Sequence, residues 1–417
     1  MTALELVALI SSALLLQLGV GIGATFWRRT VNEKTAPADE SPAQNATGAG
    51  AWPGSRDFRI VSRVYEDVAR SQCSLLLEPV DAQALQPFLP GQYLTLVLCI
   101  PGDRNGATPD QARVTRCYSL SDSPGTRSFR ITVKRVPAPG GRADLAPGLA
   151  STWLVDHSQV GDILQVKAPA GRFVIDATSD RPVVLIAGGI GITPLMSMLR
   201  WMLVEQPQRE IHLFHGLRCG RDHPFKPLLE ELALSKPNLH AHVAYSDPGL
   251  DDMVGRDFRH PGRIDMDLLR RTLPHGSFQF YLCGPSPMMA DLVAGLHDWG
   301  VPASDIHCEA FGPASVLATP QEGPSPEAAG PSLSVDVRFN RSQRTLTWDG
   351  RAANLLDFAE SHGVALESGC RAGSCGSCAV RLNSGRVEYA HAPDFDIQSG
   401  YCLLCVAVPT TALVLEA

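Results

Sequence analysis

Apolar and polar residues follow two different patterns along the middle of the chain. From Phe58 to about Asp176, apolar residues recur at every second position in short stretches such as "SQCSLLLEPV" and "SFRITVKRV". Turns rich in Gly and Pro separate these stretches, which predicts an antiparallel β-barrel. From Arg181 to about Gly312, apolar strands such as "PVVLIA" alternate with helical segments such as "TPLMSMLRWMLVE". This alternation predicts an α/β domain built on a doubly wound parallel sheet.

Two stretches with few apolar residues interrupt these patterns. Residues 31–56 are rich in Ala, Pro and Gly, and residues 313–332 contain five prolines. Both compositions are typical of linkers. Residues 333–417 follow the second linker and contain a hairpin pattern, a short helix and a loop rich in cysteine.

The first 30 residues predict a transmembrane anchor. Residues 6–27 contain no charge, and this length is close to the roughly 20 residues that cross a bilayer core. A cleaved signal peptide is the alternative, but such a peptide carries basic residues ahead of its apolar run, and here only Glu5 precedes it. Because Arg28 and Arg29 follow the run, the positive-inside rule predicts a single-pass membrane protein whose other domains face the cytoplasm.

Composition narrows the classes of function. A chain of 417 residues predicts several domains. The net charge of −7 and the lack of a Lys/Arg-rich tract argue against nucleic acid as a partner. Eleven cysteines are present and five of them lie in the last 48 residues. An odd number with this clustering indicates a reducing compartment and a local metal site, not a disulfide framework.

The loop "SGCRAGSCGSC" is the strongest candidate for a metal site. Cys370, Cys375 and Cys378, followed later by one more cysteine, have the spacing of a plant-type [2Fe–2S] centre. Alternatively, Cys375 and Cys378 could form a zinc ribbon with Cys402 and Cys405. The small residues between the first three cysteines favour iron–sulfur, because they leave backbone N–H groups free to approach the sulfurs.

Candidate flavin-binding residues lie in the barrel. Arg116 and Tyr118 share a face of a strand, where an Arg can bind phosphate and an aromatic ring can cover a flat heterocycle. The turn at Gly148 and Ser151 can open a helix whose free N–H groups face a diphosphate. The neighbouring candidates are Ser119, Leu120, Lys134 and Thr152.

Candidate nucleotide-binding residues follow the strands of the α/β domain. Glycines after the first strand let a dinucleotide approach the backbone, and a proline suits the first turn of the next helix. These residues are Gly188, Gly189, Gly191, Thr193 and Pro194. A second turn at the same sheet edge contains Cys283, Gly284 and Pro285, and "CEAFG" with Glu309 and Phe311 closes the domain.

Taken in order, the motifs R-x-Y-S-L, G-x-x-S, G-G-x-G-x-T-P, C-G-P and E-x-F-G over residues 57–312 resemble those of the ferredoxin–NADP reductase superfamily. Residues 333–417 resemble a plant-type ferredoxin domain, in which G-Y-x-L-x-C presents the fourth ligand. The resemblance implies an FAD-binding β-barrel over 57–178, an NAD(P)-binding domain over 179–312 and an α+β β-grasp [2Fe–2S] domain over 333–417. It also implies that Cys405 is the fourth ligand and Cys402 is not a ligand.

The resemblance implies roles for individual residues. The flavin would lie on Arg116, Tyr118 and Ser119 with its diphosphate near Ser151, and the nicotinamide nucleotide would lie over Gly188–Pro194. Cys283 would lie near the nicotinamide and Phe311 near the isoalloxazine ring, while Glu309 or Ser119 would assist protonation of the flavin. FAD is favoured over FMN. NADH is slightly favoured over NADPH. Arg218 and Arg221 could pair with a 2′-phosphate and Asp222 could bond a ribose hydroxyl, but members of the superfamily that use either nucleotide have an Arg at the position of Arg218.

The order of the three domains resembles that of the modular oxygenase reductases of the phthalate and benzoate dioxygenase reductase type. This order implies electron transfer from NAD(P)H through FAD and the [2Fe–2S] cluster to a terminal oxygenase, a membrane desaturase or hydroxylase, or another redox protein. Two alternatives are a membrane quinone reductase and a non-catalytic [2Fe–2S] redox sensor.

Overall fold

The computed structural model describes residues 52, 54–85, 87–101, 111–125, 127–138, 146–311, 334–371, 373, 375–389, 393 and 395–417. The predicted anchor (1–30), most of the first linker (31–56) and the second linker (313–332) lie outside these ranges. Within them, no helix combines the length and the apolar character that a membrane crossing needs.

The first sheet is antiparallel and closes into a barrel. Its strands are β1 (Ser55–Tyr65), β2 (Gln72–Pro79), β3 (Tyr93–Pro101), β4 (Gln111–Ser119), β5 (Phe129–Lys134) and β6 (Ile163–Lys167), in the order β4-β3-β6-β1-β2-β5. The two edge strands meet just past β4, where Leu120 pairs with Ile131 and Ser121 N donates to Arg130 O at 2.8 Å. The predicted antiparallel barrel is therefore confirmed. Its core is apolar and includes Phe58, Leu75, Leu94, Leu96, Phe129 and Ile131.

The short helix α1 (Leu149–Thr152) continues into a wider helical turn, Trp153–His157, beside the barrel. Gly148 precedes it, and Ser151 Oγ accepts a hydrogen bond from Val136 N, just past the end of β5, at 3.1 Å. The predicted helix after the Gly-x-x-Ser turn is thus present, although it is only one turn long.

The second sheet is parallel. It consists of β7 (Val183–Gly188), β8 (Ile211–Leu217), β9 (Leu239–Tyr245), β10 (His260–Pro261), β11 (Gln279–Gly284) and β12 (Ile306–Ala310), in the order β10-β9-β8-β7-β11-β12. The helices are α2 (Ile192–Glu205), α3 (Lys226–Ser235), α4 (Met266–Thr272) and α5 (Ser286–Asp298).

Helices cover both faces of this sheet. On one face, Leu185 of β7 packs in a core with residues of α2 and α3. On the other face, the next residue, Ile186, packs in a core with residues of α4 and α5. Strand β7 is therefore buried on both sides, which confirms the predicted doubly wound α/β domain. The strand order reverses between β7 and β11, and ligands of such sheets bind in the crevice at this point.

The third sheet is mixed and packs on one helix. Its strands and helix are β13 (Val335–Phe339), β14 (Arg344–Trp348), α6 (Leu355–Ser361), β15 (Ala379–Ser384), β16 (Val387–Tyr389), β17 (Tyr401–Leu403), β18 (Ala407–Pro409) and β19 (Leu413–Leu415). Five strands follow the order β14-β13-β19-β15-β17, with β13 and β19 parallel, while β16 and β18 form a separate pair. Asn354 caps α6 by accepting a hydrogen bond from Asp357 N at 2.9 Å, and Phe358 of α6 enters the core. This is the predicted β-grasp arrangement.

Candidate active site and metal centre

The end of the barrel strand β4 meets the carboxyl edge of the parallel sheet. Ser119 Oγ, just at the end of β4, donates a hydrogen bond to Glu309 Oε2 on β12 at 3.4 Å. Cys283 of β11 is paired in register with Glu309 and is fully buried. The structure thus brings together Ser119, Cys283 and Glu309, three of the four residues that the sequence predicts as catalytic.

The Cys283 thiol is held in its neutral form. Burial raises its pKa well above the ordinary value, and the negative charge of Glu309 raises it further. Cys283 is therefore an apolar, uncharged neighbour in this site and not a thiolate nucleophile.

Glycines let two turns of the nucleotide domain pack against each other. A Cβ on Gly191 would lie 2.1 Å from the carbonyl oxygen of Cys283. A Cβ on Gly188 would lie 2.5 Å from Pro285 Cδ, and one on Gly284 would lie 2.9 Å from Gly188 Cα. All three separations are shorter than a Cβ tolerates, so the turn after β7 and the turn after β11 meet only because these positions lack side chains.

The remaining predicted residues of the first turn fix its shape. Gly189 has a φ of +54°, which favours glycine. Thr193 Oγ1 donates to Ile190 O at 3.1 Å, and Pro194 is buried in the first turn of α2. Lys134 Nζ, at the end of β5, would lie 3.9 Å from a Cβ placed on Gly189. The barrel therefore contributes a positive charge to the glycine turn.

His215 also supports this turn, although nothing in the sequence singles it out. It is fully buried on β8, and its Nε2 lies 3.0 Å from Gly189 O. Because a carbonyl only accepts, Nε2 carries the proton. Burial lowers the pKa of His215 to about 4, so the ring is neutral near pH 7. A buried histidine between two apolar residues of a strand gives no sequence signal for such a role.

The R-x-Y-S motif divides its side chains between the two faces of β4. Arg116 and Tyr118 lie opposite Leu96 and Leu94, on one face, as predicted. Arg116 is exposed and its Nη1 donates to Thr115 O at 2.8 Å. Tyr118 is half-buried against the barrel core, and this burial raises the pKa of its phenol. Ser119 points to the other face.

In the Gly-x-x-Ser turn, the Ser151 hydroxyl is hydrogen-bonded within the turn, whereas the Thr152 hydroxyl is not. Ser151 Oγ donates to Gly148 O at 3.0 Å and accepts from Val136 N at 3.1 Å. Thr152 Oγ1 is buried and has no hydrogen-bond partner among the residues that the structure describes. Since a buried hydroxyl is rarely left unpaired, Thr152 fits a polar ligand better than Ser151 does.

Two predicted residues lie at the rim of the site. Phe311 directly follows β12, and 42% of its surface is exposed. Arg218 follows β8, and its Nη2 lies 3.2 Å from Asp247 Oδ2 in an ion pair that is largely exposed. Such a pair is weak, so Arg218 is free to exchange its partner.

The four predicted cluster cysteines come together as two pairs. Cys370 N donates to Cys375 Sγ at 3.2 Å. Cys378 Sγ and Cys405 Sγ lie 3.1 Å apart. Two thiolates for each of two irons is the ligand set of a [2Fe–2S] centre, so the residues present fit that group.

The alternative zinc ribbon is not assembled. Cys402 lies on β17 opposite Val380, within the apolar core, where burial raises the pKa of its thiol to about 12. Across the described part of the chain, no three His, Cys, Asp or Glu side chains are close enough to hold a single metal ion. Gly369 supports the iron–sulfur interpretation, because a Cβ there would lie 2.7 Å from Cys375 Sγ.

Two family models match the chain. The model described as "Oxidoreductase NAD-binding domain" matches residues 185–294, and the model described as "2Fe-2S iron-sulfur cluster binding domain" matches residues 337–410. The structure of phthalate dioxygenase reductase, described as modular for electron transfer from pyridine nucleotides to [2Fe–2S], is similar over 87% of this chain and 98% of that one. Its sequence identity is 25% and its TM-score is 0.51. The chain belongs to the ferredoxin–NADP reductase superfamily.

Other relatives of this chain cover its first two domains. A flavohemoprotein of Halalkalibacterium halodurans is 37% identical over 65% of this chain and 63% of the relative. The FAD/NAD-binding domain of nitric oxide dioxygenase from Vibrio cholerae O1 biovar El Tor is 31% identical, with a TM-score of 0.53, over 62% of this chain and 99% of that domain. The chain thus spans about 63% of the length of the curated relative. The predicted cofactor set of FAD, a nicotinamide nucleotide and a [2Fe–2S] cluster is confirmed at this level.

Sequence reasoning missed two further residues, Cys117 and Tyr93, which lie on the face of the barrel opposite Tyr118. Cys117 Sγ lies 3.4 Å from Thr95 Oγ1, and the nearby cluster cysteine Cys375 raises the pKa of the Cys117 thiol. Tyr93 is 4% exposed, and its hydroxyl has no hydrogen-bond partner among the described residues. The alternation of β4 places Cys117 opposite Tyr118, but no pattern in the sequence indicates which domain covers that face.

Proposed function

We propose that this chain is an NAD(P)H-dependent flavin and iron–sulfur reductase that passes electrons to a separate redox protein. The observation that carries the proposal is the position of strand β4. Ser119 of this strand donates a hydrogen bond to Glu309 of the nucleotide domain, and Arg113 Nη1 of the same strand lies 3.5 Å from Glu367 Oε1 of the ferredoxin domain. The strand that carries the flavin motif therefore contacts both of the domains between which a flavin would transfer electrons.

The cofactors would supply the redox chemistry. The nucleotide would give two electrons as hydride, and a plant-type cluster would accept one electron at a time at about −400 mV. A flavin can exchange either one or two electrons and would therefore connect them. The protein residues provide position. The glycine turns at Gly188–Gly191 and Gly284 leave room for a nucleotide to approach the backbone, and Thr152 offers an unpaired hydroxyl. Ser119 and Glu309 can hold a proton next to a flavin, because they share a hydrogen bond at the mouth of the crevice.

Purified full-length protein tests the proposal. We expect about two irons and two acid-labile sulfides for each FAD, and bleaching of the visible absorbance by anaerobic NADH or NADPH. We also expect cytochrome c reduction that Cys405→Ala abolishes, while reduction of ferricyanide, a smaller acceptor, persists. A preparation that contains zinc and no labile sulfide contradicts the proposal. Short-chain quinone reduction that is unaffected by Cys405→Ala would instead support a quinone reductase, and loss of all turnover in an intact holoprotein would support a sensor.

The choice of nucleotide rests on Arg218. Its guanidinium is exposed and is paired with Asp247. A 2′-phosphate would have to compete with this carboxylate, whereas the uncharged ribose hydroxyl of NADH would not, so we propose NADH. The ratio of kcat/KM for NADH to that for NADPH measures the preference. Asp247→Asn should shift this ratio toward NADPH, and a ratio that stays unchanged contradicts a role for the pair.

We propose further that residues 6–27 anchor the protein in a membrane with its three domains in the cytoplasm. The support is the uncharged run followed by Arg28 and Arg29. An anchored reductase suits a membrane-bound acceptor such as a desaturase or hydroxylase, although a soluble oxygenase also fits. Full-length protein should remain with membranes after alkaline extraction, and a variant that begins at residue 31 should not. Detergent extracts that retain bound partners would identify the acceptor.

A further inference from the structure

The loop that follows the flavin motif reaches across to the nucleotide domain. It begins just after Ser119, at the end of β4, and contains Asp122. The Asp122 backbone oxygen accepts a hydrogen bond from Ser197 Oγ of α2 at 2.7 Å. Its carboxylate oxygen Oδ1 lies 2.8 Å from Arg200 Nε on the same helix. Asp122 therefore binds α2 through both its backbone and its side chain.

On its other side, the Asp122 carboxylate faces an arginine of the barrel. Asp122 Oδ2 lies 3.7 Å from Nε of Arg130 on β5, which is an ion pair without a hydrogen bond. Only 17% of the Asp122 side chain and 15% of the Arg130 side chain are exposed. Water and salt therefore screen this pair less than a surface pair, and the two arginines are joined by one largely buried negative charge.

The Arg130 guanidinium also lies over Phe225, the residue that precedes α3. Arg130 Cζ is 5.2 Å from the centre of the Phe225 ring, within the range of a cation–π contact. Phe225 is buried and has a φ of +58°, a conformation that a bulky residue rarely adopts and that persists only where its surroundings hold it. A row of side chains therefore runs from the start of α3 to α2: Phe225, Arg130, Asp122 and Arg200.

This row acts on the glycine turn through α2. The helix begins at Ile192, directly after the turn at Gly189–Gly191. Arg200 lies roughly 12 Å further along the helix axis, at 1.5 Å per residue. Because the helix is continuous between them, a contact that fixes Arg200 against the barrel also fixes the glycine turn relative to the flavin motif.

We propose that Asp122 is a positioning residue for hydride transfer, whose carboxylate holds Arg200 of the nucleotide domain and Arg130 of the barrel at the separation that this transfer needs. The inference rests on the proposed function. The hydride would leave the nicotinamide ring with both electrons of its C–H bond and go to the flavin, so the step needs no further reactant. Its rate depends steeply on distance, because the reacting atoms must approach to about 3–3.5 Å and a displacement of about 1 Å can cost about a hundredfold.

The test compares Asp122→Asn, Arg200→Gln, Arg200→Lys and Asp81→Asn in the full-length holoprotein. Asparagine keeps the size of the Asp122 side chain and removes its charge. Lysine at position 200 can still place a cation beside Asp122, because the contact is made by Nε and not by the end of the guanidinium. Asp81→Asn is the matched control, since Asp81 Oδ2 lies 2.9 Å from Arg56 Nε but both partners belong to the barrel.

Stopped-flow absorbance gives the limiting rate of flavin reduction at saturating NADH and the apparent Kd of NADH. We expect the limiting rate to fall about tenfold or more in Asp122→Asn, with a smaller change in Kd. Arg200→Gln should lower it by a smaller factor, and Arg200→Lys and Asp81→Asn should stay close to the wild type. The long-wavelength charge-transfer band, which reports a nicotinamide ring stacked on the flavin, should weaken in the same order.

Reduction of the flavin by dithionite separates positioning from general damage. Dithionite does not use the nucleotide domain, so its rate should be the same in all variants. If Asp122→Asn does not fold, the two Arg200 variants decide, because they change a partly exposed side chain, and equal limiting rates in both then overturn the inference. A limiting rate in Asp122→Asn equal to that in Asp81→Asn, or a loss that dithionite reduction shares, also overturns it. Wild-type protein whose flavin is reduced by neither NADH nor NADPH would instead overturn the proposed function itself.

Discussion

Ser119 and Glu309 are separated by 190 residues, yet the Ser119 hydroxyl donates to the Glu309 carboxylate at 3.4 Å. The contact fixes the end of the barrel strand β4 against the edge of the nucleotide sheet. The same junction is supported by Asp122, whose backbone oxygen accepts from Ser197 Oγ at 2.7 Å and whose carboxylate lies 2.8 Å from Arg200 Nε. The two halves of the predicted active site are therefore held at a defined separation by contacts within the protein.

The first prediction concerns Glu309. Replacement by Gln keeps a hydrogen-bonding group of the same size but removes the negative charge and the proton acceptor. We expect flavin reduction by NADH to become slower by about tenfold or more, measured by anaerobic stopped-flow absorbance, with the iron content unchanged. Glu78→Gln removes an exposed carboxylate from β2 and serves as the control. Equal rates in the two variants would show that Glu309 has no part in the reaction.

The second prediction separates the two candidates for the fourth cluster ligand. Cys405 Sγ lies 3.1 Å from Cys378 Sγ, whereas Cys402 is fully buried in the apolar core. Cys405→Ala should therefore lose most of its iron and labile sulfide, and Cys402→Ala should keep both. The two variants are matched, because each replaces one cysteine by alanine and neither introduces a buried polar group. A cluster that survives in Cys405→Ala and is lost in Cys402→Ala would reverse the assignment.

The third prediction concerns the glycine turn. A Cβ on Gly191 would lie 2.1 Å from Cys283 O, so Gly191→Ala must push the turns after β7 and β11 apart. We expect a loss of stability of about 1–3 kcal/mol and a higher KM for the nucleotide. Gly276→Ala is the matched control, because its Cβ would meet only Phe278, at an ordinary 3.7 Å. Urea denaturation and steady-state kinetics of both variants measure the effect. A Gly191→Ala variant with the stability and the KM of Gly276→Ala would contradict the close packing.

The sequence was sufficient where a function depends on residues that are close along the chain. Three of the cluster cysteines lie within nine residues, and the glycines at Gly188–Gly191 follow directly from a buried strand. Such local patterns give the barrel, the parallel sheet and the cysteine loop. The alternation along β4 also places Arg116 and Tyr118 on one face, as the structure has them.

The sequence was insufficient where a function depends on which distant element comes alongside. His215 supports the glycine turn only because β8 lies next to β7, and Arg113 meets Glu367 only because the ferredoxin domain lies beside β4. Ser151 is expected at a diphosphate, but its hydroxyl donates a hydrogen bond within its own turn. The hydroxyl of its neighbour Thr152 has no hydrogen-bond partner among the described residues. Motif spacing cannot distinguish these two hydroxyls, because the difference lies in their packing.

The fourth prediction concerns acid stability. His212 and His242 lie on adjacent strands, with ring centroids 6.1 Å apart, and His242 also stacks on Phe214 at 4.6 Å. Burial lowers the pKa of His212 to about 4 and that of His242 to about 3, and neighbouring positive charges lower both further. Both rings are therefore neutral in the folded protein at pH values where the unfolded chain, with a histidine pKa of about 6.5, already binds protons.

Stability should consequently be complete above about pH 6.5 and should fall as the pH is lowered from there toward the folded-state values. His242→Phe keeps a ring against Phe214 but removes the titration, so the variant should lose less stability than the wild type between pH 7.5 and pH 5, by about 2 kcal/mol at most. Urea denaturation at the two pH values measures the difference, and His275→Gln, which changes an exposed histidine, is the control. If His242→Phe and His275→Gln lose stability to the same extent as the wild type, His242 is not the source of the acid sensitivity, and the other buried histidines, such as His215 and His223, would account for it.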